Sequence, residues 1–259
     1  MWFDTHCHLD FECFQSEWQE YKKRFHEAEV SRFLVPAVGQ NNWNQVLQLS
    51  GEEGVYIAIG IHPLRVKEQY QRTTVFQDEL TALGEYFAEH KDKITAVGEC
   101  GLDKRFKECI DQQLEAFDFQ LELAKQYNKP VVIHSVKQHH LVQQRLKQAK
   151  VNRGIVHGFS GNYQKAKALV DAGMRLGIGG VITRPTAEPT RDAIAKLPLD
   201  SIVLETDAPD MPLYGMNSEI NSPQYIPHIF KYLVKIRNEN ASILAEAIWR
   251  NSNQVFAIN

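Results

Sequence analysis

Six side chains with the chemistry of metal ligands recur in one kind of setting along this chain. His6 and His8 stand in Asp-Thr-His-Cys-His-Leu-Asp (4–10), Glu99 in Val-Gly-Glu-Cys-Gly-Leu-Asp (97–103) and His134 in Pro-Val-Val-Ile-His (130–134). His157 stands in Val-His-Gly-Phe-Ser-Gly (156–161) and Asp207 in Leu-Glu-Thr-Asp-Ala-Pro (204–209). Each follows a short apolar run. Two histidines at i and i+2 leave a strand on the same face, so both imidazoles can address one ion. A single strand-end histidine is as well explained by a satisfied structural role; six ligands at matching positions point to metal.

Four imidazoles and two carboxylates suit Zn2+, Mn2+, Co2+ or Fe2+ better than Ca2+, with Mg2+ kept among the candidates. Six protein ligands are too many for one tetrahedral catalytic ion that must keep a position open. Two divalent ions about 3.5 to 4 Å apart resolve this. Glu99 then bridges, His6, His8 and Asp207 surround one ion, and His134 and His157 surround the other. A hydroxide shared between the ions is the expected nucleophile, and Asp207, both ligand and proton acceptor, is with Glu99 the expected catalytic pair. Glu205, two residues before Asp207, should point the same way but deeper, in a supporting role.

The elements that must deliver these residues are legible as eight short apolar runs at 2–6, 32–37, 55–60, 94–98, 130–134, 153–157, 174–179 and 201–206. Between them lie amphipathic stretches such as 109–127, where Ile110, Leu114, Phe117, Leu121 and Ala124 recur at helical spacing. Strands apolar on both faces and separated by helices predict parallel pairing. At 259 residues the chain matches the roughly 250 needed for a TIM-type (β/α)8 barrel, here with extra C-terminal helices near 224–237 and 241–250. An open doubly wound sheet is the competing architecture. No linker or repeat divides the chain, so 1–259 reads as one α/β barrel domain. In a barrel all six ligands meet at the C-terminal mouth, under the long non-periodic segment 208–222.

The composition, 43% hydrophobic and 24% charged, is that of a globular domain with a large core. The chain offers no secretory leader and no membrane-spanning run, and Cys7, Cys13, Cys100 and Cys109 lack CxxC spacing. A cytoplasmic protein with free, buried thiols is expected. The net charge of −3 supplies no global field for nucleic acid, so attraction to phosphate must be local. No membrane association and no obligate protein partner are indicated. His26, His90, His139, His140 and His228 fall in helical or loop contexts, where solvated side chains are expected.

Taken together with Gly-Ile-His-Pro (60–63), the six motifs stand in an order and over a span that resemble the TatD family of metal-dependent deoxyribonucleases, within the amidohydrolase-like barrels. His-x-His on strand 1 is common to many of those barrels. A glutamate on strand 4, where relatives carry a carboxylated lysine, separates this family. The resemblance implies metal-dependent hydrolysis of phosphodiester bonds, DNA as substrate and attack from a 3′ end. It implies His6, His8, Glu99, His134, His157 and Asp207 as ligands and His62 as the substrate-side histidine. The chain departs from the family pattern at Lys137, where an arginine is common, at Ile220-Asn221-Ser222-Pro223, in place of Arg-Asn-x-Pro, and in the loop 210–215. Arginine grips phosphate bidentately and lysine acts as a point charge, so the substrate side differs in kind.

Basic residues in the expected mouth loops are Arg65, Lys104, Arg105, Lys137 and Arg184, with Arg65 and Lys137 the nearest candidates for substrate binding. Phe106, Phe159 and Tyr214 are candidate stacking platforms for bases, with packing the favoured role for Phe159, which follows the strand 6 ligand. The expected substrate is DNA or another phosphodiester. The alternative is an amide, lactone or acyl ester, whose carbonyl the same nucleophile would attack; a barrel that binds without catalysis is the third reading.

Overall fold

A computed structural model describes residues 1–216 and 220–258. The eight apolar runs become one parallel sheet in sequence order, β1 (Trp2–Asp4), β2 (Val30–Pro36), β3 (Val55–Ile59), β4 (Ala96–Asp103), β5 (Val131–Val136), β6 (Gly154–Val156), β7 (Met174–Ile178) and β8 (Ile202–Leu204). The crossovers are helical, as parallel neighbours require. They are α1 (Glu12–Gln15) and α2 (Trp18–Glu27) after β1, α3 (Trp43–Leu49) after β2, and α4 (Pro63–Gln69) and α5 (Thr73–His90) after β3. Next come α6 (Ile110–Gln126), α7 (His139–Ala149), α8 (Tyr163–Asp171) and α9 (Glu188–Lys196), one after each strand from β4 to β7; α10 (Ile226–Ile236) and α11 (Ala241–Phe256) follow β8.

The sheet closes on itself through residues just past its first and last strands. Thr5 donates its backbone N–H to Leu204 (3.0 Å), Asp207 to His6 (2.9 Å) and His8 to Ala208 (2.7 Å). A parallel bridge pairs Cys7 with Ala208. The closing seam therefore carries three of the six expected ligands.

Inside the barrel a layer of Phe3, Leu34, Ala58, Ala96, Val132, Ile155 and Val203 packs against Val255 and Phe256 of α11. These side chains point inward, so residues two or four positions further on point inward one level higher. His134 follows Val132, His157 follows Ile155, and Glu205 and Asp207 follow Val203 in this register. A larger apolar cluster, with Phe14, Trp43, Phe76, Phe87 and Phe117 among its members, fills the space between sheet and helices.

The boundaries shift where side chains compete with the ladder. β1, expected over 2–6, ends at Asp4, because Asp4 Oδ1 takes the N–H of His6 (3.2 Å) and the chain turns toward β8. β4, expected over 94–98, runs instead to Asp103, because beyond Val97 it pairs with β5 alone. Glu99 thus lies inside β4 and His134 inside β5, whereas His157 and Asp207 lie just past their strands. Of the expected non-periodic segment 208–222, residues 217–219 lie outside the described residues. The described part forms no long helix or strand, only a single turn of 3-10 helix from Pro223 after it. No helix among the described residues is long and apolar enough to cross a membrane.

The entrance to β8 is held by a buried polar anchor: Asn251 Nδ2 of α11 donates to Leu199 O (2.8 Å) and Ile202 O (2.9 Å). Asn251→Ala leaves both carbonyls unpaired in the interior, at about 1–3 kcal/mol each. The expected outcome, read by urea denaturation, is a loss of roughly 2–4 kcal/mol with the divalent-metal content of the folded protein unchanged.

Candidate metal centre

Glu99 reaches the barrel axis through an irregular step in β4. The β4–β5 register shifts between Val97 and Cys100, and the intervening Gly98 (φ +149°) and later Gly101 (φ +135°) adopt backbone that only glycine takes without strain. There is no room for side chains either. A Cβ at Gly98 would lie 2.5 Å from Val132 O and one at Gly101 2.1 Å from His134 O. The two glycines let β4 press against β5 so that Glu99 and His134 face each other.

The two Glu99 oxygens then address different partners. Oε2 lies 3.3 Å from His6 Nε2 and 3.9 Å from His8 Nε2. Asp207 Oδ1 completes that half at 3.3 Å from His6 Nε2 and 3.7 Å from His8 Nε2. Oε1 lies 2.8 Å from His157 Nε2, 3.0 Å from His134 Nδ1 and 3.2 Å from His62 Nε2. His134 Nδ1 and His157 Nε2 are themselves 3.1 Å apart. All six expected ligands are thus brought together, and His62 with them.

The donor set fits divalent metal. Two atoms each about 2.1 Å from one ion, at angles between 90° and the tetrahedral value, are about 3.0–3.4 Å apart. His6 (3.3 Å) and His134 (3.0 Å) stand at that spacing from Glu99, with His157 (2.8 Å) just inside it and His8 (3.9 Å) outside. His6 Nε2 is buried and close to two carboxylate oxygens, yet makes no hydrogen bond with either. Lone pairs converging on a common point fit that arrangement. Three overlapping groups, His6–His8–Glu99, His6–His157–Asp207 and His62–Glu99–His134, offer ligand atoms within 4.8 Å of one another.

Outer partners settle which nitrogen His134 and His62 present. His134 Nε2 donates to Asp103 Oδ2 (2.9 Å), so its Nδ1 is left with the lone pair facing Glu99 and His157. His62 is the opposite case. Its Nδ1 accepts the N–H of Leu64 (3.0 Å) at the start of α4, so the proton sits on Nε2 and the ring points a donor at Glu99. With both nitrogens engaged in this way, His62 is a hydrogen-bond donor rather than a ligand.

Charges within the cluster divide sharply. Burial opposes ionisation of Glu99, but His157, His62 and His6 around it hold the carboxyl well below its usual range. Burial, with the His157 ring stacked at 3.9 Å, keeps His6 well below the ordinary imidazole value. Burial works against a charge on His157 too, yet the neighbouring Glu99 carries it up to about 10. Burial raises Asp207 and pushes Glu205 up to about 8. Glu205 Oε1 accepts the N–H of Gly158, next to His157, while its other oxygen has no hydrogen-bond partner.

The expected substrate contacts separate into engaged and open groups. Arg65 pairs with the buried Glu79 (Nε to Oε1, 3.3 Å) and with Glu68 (3.2 Å). Arg105 is turned onto Asp103, with three side-chain hydrogen bonds of 2.6 to 3.0 Å. Lys137 and Arg184 are exposed. Phe159 is buried, Phe106 partly so, and Tyr214 is 61% exposed. One expectation is corrected: His139, read as solvated, is buried, because its ring bridges two mouth loops.

Other supports escaped the motif reading. Asp4 joins β1 to β8 by accepting from Thr206 N (3.0 Å) and Thr206 Oγ1 (2.5 Å). Gln113 and Gln120, on one face of α6, each grip a backbone N–H and C=O as a neighbouring strand would, at Asp103 and at Ile61 beside His62. Asn221 Nδ2 donates to Thr206, Asp210 and Met211, folding the segment after Asp207 back onto the barrel. Two glutamines in the apolar stripe of a helix, and an aspartate four residues beyond Glu99, were the available signals.

A parallel barrel with this histidine and carboxylate cluster at its C-terminal mouth defines a metal-dependent hydrolase. The model of the family described as TatD related DNase matches residues 3–257, and the chain belongs to that family. It is 39% identical to the uncharacterized metal-dependent hydrolase YjjV of Escherichia coli K12, over 98% of this chain and 97% of that one. It is 29% identical to a protein of Pantoea ananatis named 3′-5′ ssDNA/RNA exonuclease TatD, over 99% of each. The crystal structure of the E. coli YjjV superposes with a TM-score of 0.91, covering 100% of this chain and 98% of that one at 38% identity.

Asp103→Ala removes the acceptor that fixes the His134 tautomer. Metal affinity is expected to fall about 10- to 100-fold, measured by competition with a chelating indicator. Unchanged affinity would show that Asp103 serves Arg105 alone.

Proposed function

We propose that the chain is a two-ion phosphodiesterase that shortens DNA from a free 3′ end. The observation that carries this reading is the Glu99 carboxylate, whose oxygens face separate ligand sets. His6, His8, Asp207 and Glu99 Oε2 would hold one divalent ion, and His134, His157 and Glu99 Oε1 the other. Zn2+, Mn2+, Co2+, Fe2+ and Mg2+ are all compatible with this mixed set. Such a pair supplies an acidified water as nucleophile and stabilises negative charge on attacking and leaving oxygens.

The chain's own groups do the rest. Asp207, whose carboxyl burial makes more basic, is placed to take the nucleophile's proton. His62 presents its Nε2–H toward the same point and donates to a phosphoryl oxygen of the substrate. Lys137, exposed at the end of β5, offers a point charge to the adjacent phosphate. Arg65, held by Glu79 and Glu68, orders the start of α4 behind His62 and reaches substrate only by exchanging those partners. The name of the Pantoea relative supports a nucleic-acid substrate.

The test uses purified protein, a labelled single strand with a free or blocked 3′ end, and acyl esters, lactones and amides in parallel. Chelation is expected to abolish 3′ shortening and Mn2+ to restore it. His6→Ala and Asp207→Ala should lose at least about 100-fold in kcat/KM, some 2.7 kcal/mol of transition-state stabilisation. His62→Ala is expected to lose 10-fold or more while keeping its metal. Turnover of acyl substrates with none of the phosphodiester would replace this reading by the acyl-hydrolase one.

A further inference from the structure

Beyond Ile133↔Val156, β5 and β6 cease to be neighbours in the sheet. His157 still donates its N–H to Ile133 O (3.0 Å), but β5 then follows β4, pairing Ser135 with Leu102 and Val136 with Asp103. The loop after β6 leans the other way. Gly158 donates to Glu205, Phe159 to Gly177 O (3.2 Å) and Gly161 to Thr190 Oγ1 (3.2 Å), all on the β7, β8 and α9 side. Two strand ends that diverge here must nevertheless hold His134 Nδ1 and His157 Nε2 at 3.1 Å.

The gap is spanned by His139, the first residue of α7. Its Nδ1 lies 2.6 Å from Ser135 Oγ, and its Nε2 3.0 Å from Ser160 O. A carbonyl only accepts, so Nε2 carries the proton, Nδ1 carries the lone pair, and Ser135 donates its hydroxyl to it. The ring is buried and packs 5.5 Å from Phe159. Ser135 follows His134 directly, and Phe159 and Ser160 lie two and three residues past His157. Burial holds the ring below the ordinary imidazole value, in keeping with the neutral form this geometry demands.

We infer that His139 is a positioning residue for the second metal position: its Ser135–His139–Ser160 bridge sets the separation of His134 and His157, and so selectively governs the ion they hold. The inference rests on the two-ion reading above. Loss of the bridge lets the two strand ends relax apart, which weakens the His134–His157 position and leaves the His6–His8–Asp207 position as it was. Groups hydrogen-bonded to a metal's ligands typically contribute about 10- to 100-fold in affinity, and His139, bonded to the residue beside His134, is expected to act at the lower end of that range.

The experiment is a Mn2+ titration of metal-free wild-type, His139→Leu, His139→Gln and Ser135→Ala proteins. Bound ions per chain are counted by equilibrium dialysis, and the coupled pair is detected by electron paramagnetic resonance. Wild type is expected to take two ions and show the coupled signal. His139→Leu should keep one ion at wild-type affinity and bind the second about 10-fold more weakly. His139→Gln, whose amide can accept from Ser135 and donate to Ser160, should recover much of the loss, and Ser135→Ala should fall between. Two ions bound by His139→Leu with wild-type midpoints, at any cost in melting temperature, overturn the positioning role and leave the two-ion reading intact. If the leucine variant does not fold, an unshifted second midpoint in Ser135→Ala has the same force. A wild type that takes only one ion overturns the two-ion reading and this inference together.

Discussion

One buried carboxylate organises the mouth of this barrel. Glu99 is 2% exposed, ionised by the imidazoles around it, and divided, with one oxygen for His6 and His8 and the other for His134, His157 and His62. An isolated carboxylate at that depth would cost several kcal/mol in lost hydration. It is tolerable because imidazoles are packed against both oxygens, with the charge of His157 against Oε1, and together they hold the carboxyl ionised. The same requirement explains the local chain. Gly98 and Gly101 exist to bring β4 against β5, the β1–β8 seam closes through His6, His8 and Asp207, and the register of each strand sets an inward ligand above an apolar interior layer.

Stability and function are built at different levels of the same cylinder. The lower interior, from Phe3 to Val203 capped by Phe256, is apolar and well filled, and the sheet–helix interface around it is larger still. Those layers supply the burial free energy against which a cluster of histidines and acids can be held in one place. The polar supports above them, Asp4, Asp103, Gln113, Gln120, Asn221 and His139, all bond to backbone or to a ligand's far nitrogen. They act on orientation: a rotated imidazole or a displaced strand end alters the site without exposing the core.

The sequence carried the barrel and the ligand set openly, because both are periodic or chemically rare. Apolar runs alternating with amphipathic helices have few other solutions at this length, and six potential ligands each following such a run are hard to place elsewhere. What was not legible depends on pairs distant in sequence. His139 looked like a solvated helix residue since nothing in its neighbourhood announces Ser160, 21 positions away. Arg65 looked available because Glu79 lies well inside α5 and reveals itself only when α4 and α5 are folded together. Asp103 and the α6 glutamines were visible as polar residues in apolar patterns, but their partners were not. The ends of β1 and β4 moved for other reasons: the Asp4 carboxylate captures the N–H of His6, two residues on, and β4 exchanges one neighbour for two glycines and a bulge.

The substrate side follows from which cations are already spoken for. On a chain of net charge −3, Arg65 is held by Glu79 and Glu68, and Arg105 by Asp103. Lys104, Lys137 and Arg184 stand exposed, and none of them is placed by a partner in a geometry that would grip a phosphate from two directions. Attraction to a polyanion therefore has a short reach, and on the proposed two-ion reading the strongest positive charge in the mouth would be the metal that the six side chains hold. On the phosphodiesterase reading proposed above, a substrate would be positioned from its reacting phosphate outward, by His62 and the histidine–carboxylate cluster first and by the loops second. That order would favour the end of a strand, which can be drawn down to side chains that are almost entirely buried, over the middle of a duplex, whose phosphates would stay out where the chain offers little charge to hold them.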